Sequence, residues 1–159
     1  MPGAGSDPAE RRRQLQLTLA ATAAAAVAGN GLVGRESLAW FRSLHRPRGM
    51  PSMPVFIAIG GAYYVLIGTV LYRSMRRRDR RATRLAVAVL VLNEAWNAAF
   101  FGRRSTRNGF LGTVAFCLPL GALQAAVRHD AASRRLVATY GGWVAYDLWW
   151  SHRLWRLNP

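Results

Sequence analysis

Between Leu92 and Phe101 the chain reads LNEAWNAAFF, directly after the apolar run LAVAVLV. Asn93, Glu94 and Asn97 put a carboxyl group and two amides where a plain membrane span carries Leu and Val. Asp147 does the same in the stretch YGGWVAYDLWW. Such groups are costly in hydrocarbon, so within a span they face the bundle interior or a water-filled cavity and meet a partner there. The chemistry open to them is hydrogen bonding and charge pairing with a bound molecule, or cross-linking of neighbouring helices. Other chemistries lack their parts. There is no Ser-His-Asp order, no Gly-rich phosphate loop and no paired-metal motif. His45, His129 and His152 share no close ligand spacing. Cys117, the single cysteine, lies in an apolar run and reads as a small buried hydrophobe.

The elements that must position these residues are membrane helices. A helix crosses the hydrocarbon core with roughly 20 apolar residues, and five segments qualify: 15–33, 54–72, 85–101, 109–127 and 136–155. A bilayer span must satisfy its own backbone hydrogen bonds, so the expected fold is an all-α bundle of five transmembrane helices. Residues 15–159 form its single domain, and residues 1–14 are expected to be a disordered basic tail. The segment RRRQLQLTLAATAAAAVAG also has the outline of a cleavable signal peptide. Its apolar character continues to Val33, and Gly31 and Gly34 suit close helix packing, so a retained span is the reading adopted.

The 159 residues include 22 basic ones, all Arg, against seven acids, for a formal charge of +15. So basic a chain ordinarily suggests nucleic acid. Here 52% of residues are hydrophobic and the arginines fall between apolar blocks, the pattern of a polytopic membrane protein, which excludes a nucleic-acid partner in favour of the bilayer. The dense RRRDRR run reads as a solvated loop that meets lipid headgroups. Of the arginines, 13 fall on the side of the amino terminus and nine on the other, which points to a cytoplasmic amino terminus, with the cell membrane as the expected location.

At 1.5 Å of rise per residue, Glu94 lies roughly 10 Å and Asp147 roughly 12 Å below the same membrane surface. Tyr63 and Tyr64 enter from that side and lie roughly 14–15 Å deep. Asn93, Trp96 or Asn97, and Phe100 line one helix face. Two acids, two amides and several aromatics therefore converge on one half of the bilayer. This predicts a pocket floored by Asn93 and Trp96 with Glu94 and Asp147 at its wall. The loop WFRSLHRPRGMPSMP lies over the same half, and Arg46 or Arg48 is expected to pair with Glu94 or Asp147 as part of a lid. Trp149, Trp150 and Trp155 suit an interfacial aromatic belt, whereas Trp143 is the deeper pocket candidate. Pro119 is expected to kink the fourth span.

These residues resemble the TspO/MBR family of tryptophan-rich sensory and translocator proteins. In the third span Asn93, Trp96, Phe100 and Phe101 match the family's Asn, two residues, Trp, three residues, Phe-Phe. In the last, Tyr140 and Trp143 match Tyr, two residues, Trp, and Arg156–Asn158 match the closing Arg-Leu-Asn. The loop SLHRPRGMPS resembles the family's first loop, so that the resemblance covers residues 38–159. It implies a small receptor or transporter-like protein, a homodimer, that binds porphyrins, haem-pathway intermediates or sterols between its helices beneath the first loop. By this resemblance Asn93, Trp96 and Trp143 line the pocket with Tyr64 as a partner. Helix spacing and depth add Phe100 and Asp147 to the expected ligand contacts, with Arg46, Arg48, Glu94 and Asn97 as wall or lid, although Glu94 and Asp147 stand where the family is usually uncharged. No cofactor or metal is required, and a tetrapyrrole would enter as ligand. The sequence departs from the family at Gly60, where the family carries a Trp held to act with the last-helix Trp in oxidative porphyrin breakdown. Binding without catalysis is therefore the expectation; a tetrapyrrole-degrading enzyme and a structural subunit of a membrane complex are the alternatives.

Overall fold

The computed structural model describes residues 7–159. It comprises α1 (Pro8–Gly31), α2 (Arg35–Ser43), α3 (Met53–Arg76), α4 (Arg80–Asn97), α5 (Thr106–Ala126) and α6 (Ala131–Leu157), with a π-helical turn, Ala98–Gly102, continuing α4. No strand occurs among the described residues. Local chemistry sets the boundaries. Asp7 accepts a hydrogen bond from the Ala9 N–H at 3.0 Å and Pro8 opens α1. Asp79 and Ser105 cap α4 and α5 through Ala82 N (2.9 Å) and Asn108 N (3.2 Å). The helix therefore begins at Pro8. This corrects the expected tail of residues 1–14: residues 8–14 are helical with Gln14 buried, and the remainder of that tail, up to residue 6, lies outside the described residues.

α3 and the π-turn both end in the same way. Asp79 N–H donates to Ser74 O (3.0 Å) and Arg78 N–H to Met75 O (2.9 Å). Ser105 N–H donates to Phe100 O (3.1 Å) and Arg104 N–H to Phe101 O (3.4 Å). Each is a Schellman closure, and it places an arginine where glycine is favoured, Arg78 at φ 56° and Arg104 at φ 48°.

α3, the α4–π-turn unit and α5 are each long and apolar enough to cross a membrane. α1 and α2, bent by 66° at a short break, make a fourth crossing if taken as one span. α6, at 27 residues, is long enough, but Arg134, Arg135, Asp147 and Arg153 lower its apolarity and it is not among the qualifying helices. Among the described residues the count is therefore three or four by length and composition, against five expected. α2 itself corrects the expected loop of residues 40–54, whose first residues, Trp40–Ser43, belong to this helix, and it buries Ser37 and Phe41.

The helices pack through two apolar clusters. One joins Tyr63, Ile67, Val70 and Leu71 of α3 to Ala86, Val89 and Leu90 of α4, Leu123 of α5, and Val137 and Val144 of α6. The other is aromatic, with Phe41, Phe100 and Trp150 at its centre. At the Arg-rich end, Asp130 ties the start of α6 to the end of α3. Arg73 grips it with two hydrogen bonds (2.6 and 3.0 Å), Ser133 donates at 2.7 Å, and Arg77 approaches to 3.3 Å. The Arg73 hydrogen bonds hold the Asp130 carboxyl well below the usual carboxylate range, and the Ser133 hydroxyl adds to this.

α1 lies on α3 and α4 through glycine. A Cβ at Gly29 would stand 1.8 Å from Glu94 Oε2, whereas at Gly31 and Gly34 it would meet nothing within 4 Å. The close approach thus falls at Gly29, not at the Gly31 and Gly34 expected from the sequence.

Candidate ligand-binding site

A cavity of about 460 Å³ lies between the two clusters. α1 contributes Ala26, Gly29 and Asn30; α2, Leu38 and Phe41; α3, Phe56, Gly60, Tyr63 and Tyr64; α4 and its π-turn, Asn93, Trp96, Asn97, Phe100 and Phe101; α6, Tyr140, Trp143 and Asp147. All six expected ligand contacts are therefore brought to one cavity. Tyr140, Trp143 and Asp147 follow i, i+3, i+7 spacing and so share one stripe of α6. The π-turn has an i to i+5 bond from Arg103 N to Ala98 O (3.1 Å). Its wider winding brings the adjacent Phe100 and Phe101 both to the cavity wall, as π-turns at functional sites often do.

Two glycines of α5 seat the aromatic floor. A Cβ at Gly112 would lie 2.9 Å from Trp96, and one at Gly109 would lie 2.4 Å from Phe100. Without them Trp96 and Phe100 lie against the α5 backbone and stack on each other at 5.1 Å. Trp96 Nε1 donates to Gly109 O and Thr113 Oγ1, both at 2.9 Å. Its donor is thus used inside the bundle, and what it offers the cavity is ring surface. Tyr63 likewise donates to Val89 O (3.1 Å), and Tyr140 to Asn93 Oδ1 (3.4 Å).

The two acids sit in unlike surroundings. Glu94 is 8% exposed, and its carboxyl accepts from Tyr64 Oη (2.8 Å), Asn93 Nδ2 (3.1 Å) and Asn97 Nδ2 (2.9 Å). Three donors from α3 and α4, with Gly29 pressed against it, make it a knot between helices, and it is not a lining residue. Asp147 does line the cavity. Thr113 Oγ1 lies 3.4 Å from its Oδ2, and Oδ1 is buried with no hydrogen-bond partner in the protein. The Thr113 hydroxyl has one hydrogen and a closer acceptor in Gly109 O at 3.0 Å.

The expected arginine lid takes another form. Among the described residues neither Arg46 nor Arg48 pairs with Glu94 or Asp147: Glu94 is already held by neutral donors, and Arg46 lies over the Phe41 ring at 5.6 Å. The loop is fastened instead by the end of α6. Asn158 accepts from His45 N (2.9 Å) and donates to His45 O (3.0 Å), and the Tyr146 hydroxyl donates to Gly49 O. Gly49 has φ +82°, and a Cβ there would meet the Trp149 ring at 3.0 Å. Of the expected belt, Trp149 is 42% exposed with Arg153 over its ring, whereas Trp150 is fully buried beside Phe56 and belongs to the core. Trp155 stacks on Phe110.

At Gly60 a Cβ would meet nothing within 4 Å, so the position that departs from the family opens into free space at the wall. No group of three or more His, Cys, Asp or Glu among the described residues is placed to hold a metal ion.

Comparison with known proteins agrees with the residues quoted above. The model of the TspO/MBR family matches residues 17–156. The "Tryptophan-rich protein TspO" of Archaeoglobus fulgidus is 23% identical over 148 residues, covering 91% of this chain and 97% of the relative. With a family match over that length and several helices apolar enough for the bilayer, the chain is a multi-pass integral membrane protein and belongs to the TspO/MBR family.

Proposed function

We propose that this chain is a receptor- or transporter-like membrane protein that takes a flat hydrophobic ligand into the cavity beneath the first loop. The observation that carries the reading is the cavity: about 460 Å³, within the range of small-molecule sites, walled by aromatic rings with a few polar groups converging on it. The family resemblance implies a porphyrin, a related tetrapyrrole or a sterol-like molecule. Rings of Trp96, Phe100 and Trp143 offer such a ligand faces to stack on. In this reading the bundle has five spans, with α1 and α2 together as one bent crossing and α6 as the fifth. The arginine bias puts the amino terminus in the cytoplasm and the protein in the cell membrane. The family implies a homodimer, and the exposed apolar residues of α4 and α5, among them Val87, Val91, Leu111 and Leu118, suit contact with lipid or a second copy.

Protein in lipid nanodiscs, titrated with protoporphyrin IX and separately with a fluorescent sterol, tests this. Saturable binding at about micromolar ligand, or roughly −8 kcal/mol, is expected for at least one of them. It should weaken in Asn93→Ala and Trp143→Phe. A folded protein with no saturable binding of either would reject the reading.

A further inference from the structure

The two acids of the membrane half divide the work unequally, and the division says what kind of ligand the cavity takes. Glu94 has its acceptor capacity met by Tyr64, Asn93 and Asn97. Asp147 has none of that support. Its Oδ1 is buried without a partner, and its Oδ2 faces a hydroxyl whose single hydrogen has a nearer acceptor. A half-buried carboxyl group at a cavity wall, short of donors from the protein, is a costly feature of a bundle unless something brings donors to it. No arginine or histidine lines the cavity, and Arg46 is held over Phe41. A ligand that enters the cavity can bring the donors that the protein does not supply. Beside Asp147 on the same stripe of α6 stand Trp143 and Tyr140, with Tyr63 across from Tyr140 at 4.9 Å between ring centroids. Aromatic faces attract cations, most strongly where water is excluded. Trp96 cannot serve as the donor, because its N–H is already engaged by α5.

We propose that the cavity selects a flat hydrophobic ligand that carries a protonated nitrogen, with that nitrogen held by Asp147 against the rings of Trp143 and Tyr140. The proposal rests on the cavity being a ligand site, and it adds the sign of the ligand's polar group. An anionic group of the same ligand would be repelled from this end of the cavity.

Three probes of one shape test it: 1-pyrenemethylamine, 1-pyrenemethanol and 1-pyrenecarboxylic acid. Each is titrated into the protein in phosphatidylcholine nanodiscs, followed by energy transfer from tryptophan to pyrene, with empty nanodiscs as background. The amine should bind about tenfold more tightly than the alcohol, and the acid more weakly than both. Asp147→Asn, close to isosteric, should erase the advantage of the amine over the alcohol. The wild-type ranking decides the matter even if the variant does not fold. Equal binding of amine and alcohol to the wild type, or an advantage of the amine that survives in folded Asp147→Asn, would overturn the proposal while leaving the cavity as a ligand site. Saturable binding of none of the three would overturn both.

Discussion

Gly29→Ala probes the contact on which the bundle's polar interior turns. The new methyl group would be built 1.8 Å from Glu94 Oε2, 2.9 Å from its Cδ and 3.0 Å from Asn97 Nδ2. The carboxyl group cannot swing aside cheaply, because Tyr64, Asn93 and Asn97 hold it from α3 and α4. Moving it gives up three hydrogen bonds at about 1 kcal/mol each, and moving α1 gives up comparable packing. Against this, alanine is favoured over glycine inside a helix by about 1 kcal/mol. The net cost is about 2 kcal/mol, or about 5 °C in unfolding temperature for a chain of this size. Gly31→Ala, two residues on with nothing within 4 Å of its Cβ, is the matched control and should be neutral or stabilising. Thermal unfolding in detergent, followed by circular dichroism, reads both. In a Glu94→Ser background the clash is gone, and Gly29→Ala should no longer destabilise. If Gly29→Ala and Gly31→Ala unfold together, or if the Gly29→Ala cost persists without Glu94, the contact does not carry the strain assigned to it.

Asp130→Asn should cost about 2 kcal/mol, discounted for the part-exposed Arg73, as a loss of thermal stability at neutral pH. Because the folded carboxyl titrates below its unfolded value of about 3.9, its contribution is present above that pH. It is lost as the pH falls through the folded value, so the wild type should lose stability in that acid window and Asp130→Asn should lose less. Arg78→Gly relieves a left-handed arginine and should stabilise by about 1 kcal/mol, less a few tenths for the exposed Glu10 pair at 3.5 Å, in the same unfolding assay. Gly60→Trp places at the cavity wall the ring that the resembled family carries there, and it projects into open space, so the fold should survive and a tetrapyrrole-sized probe should bind at least as tightly as to the wild type, read by fluorescence titration.

The helical pattern was legible because membrane helices are written in composition, and the observed helices overlap every expected span. Most of their ends run further, from Pro8 at the start of α1 to Leu157 at the end of α6, because charged and capping residues extend a helix beyond its apolar stretch, whereas α1 stops at Gly31 and α5 at Ala126, just short of the expected ends. The convergence of Tyr64, Asn93, Trp96, Phe100, Trp143 and Asp147 was also legible, since i, i+3, i+7 spacing and matched depth are properties of the sequence. The different roles of Glu94 and Asp147 were not. Both are acids at similar depth, and only the donors supplied by Asn97, Tyr64 and Thr113 distinguish a satisfied knot from an open acceptor. Likewise Gly29 is one glycine among several, and its importance comes from the Glu94 side chain of another helix. The π-turn leaves no signature in AAFFG that periodicity can read. α2 did leave one: Ser37 and Phe41 at i, i+4 in RESLAWFRS mark a buried face. Asp130-x-x-Ser133 was a second signal passed over, an acid at a helix start with a hydroxyl three residues on.

The most direct test of the ligand cavity is intrinsic tryptophan fluorescence during protoporphyrin titration, compared across wild type, Trp143→Phe and Trp155→Phe. Trp155 stacks on Phe110 outside the cavity, so Trp155→Phe should bind as the wild type does. Saturable quenching in the wild type and Trp155→Phe, and binding weakened at least about tenfold in folded Trp143→Phe, is the expected result. Equal quenching in all three would place the porphyrin elsewhere on the protein and contradict the account.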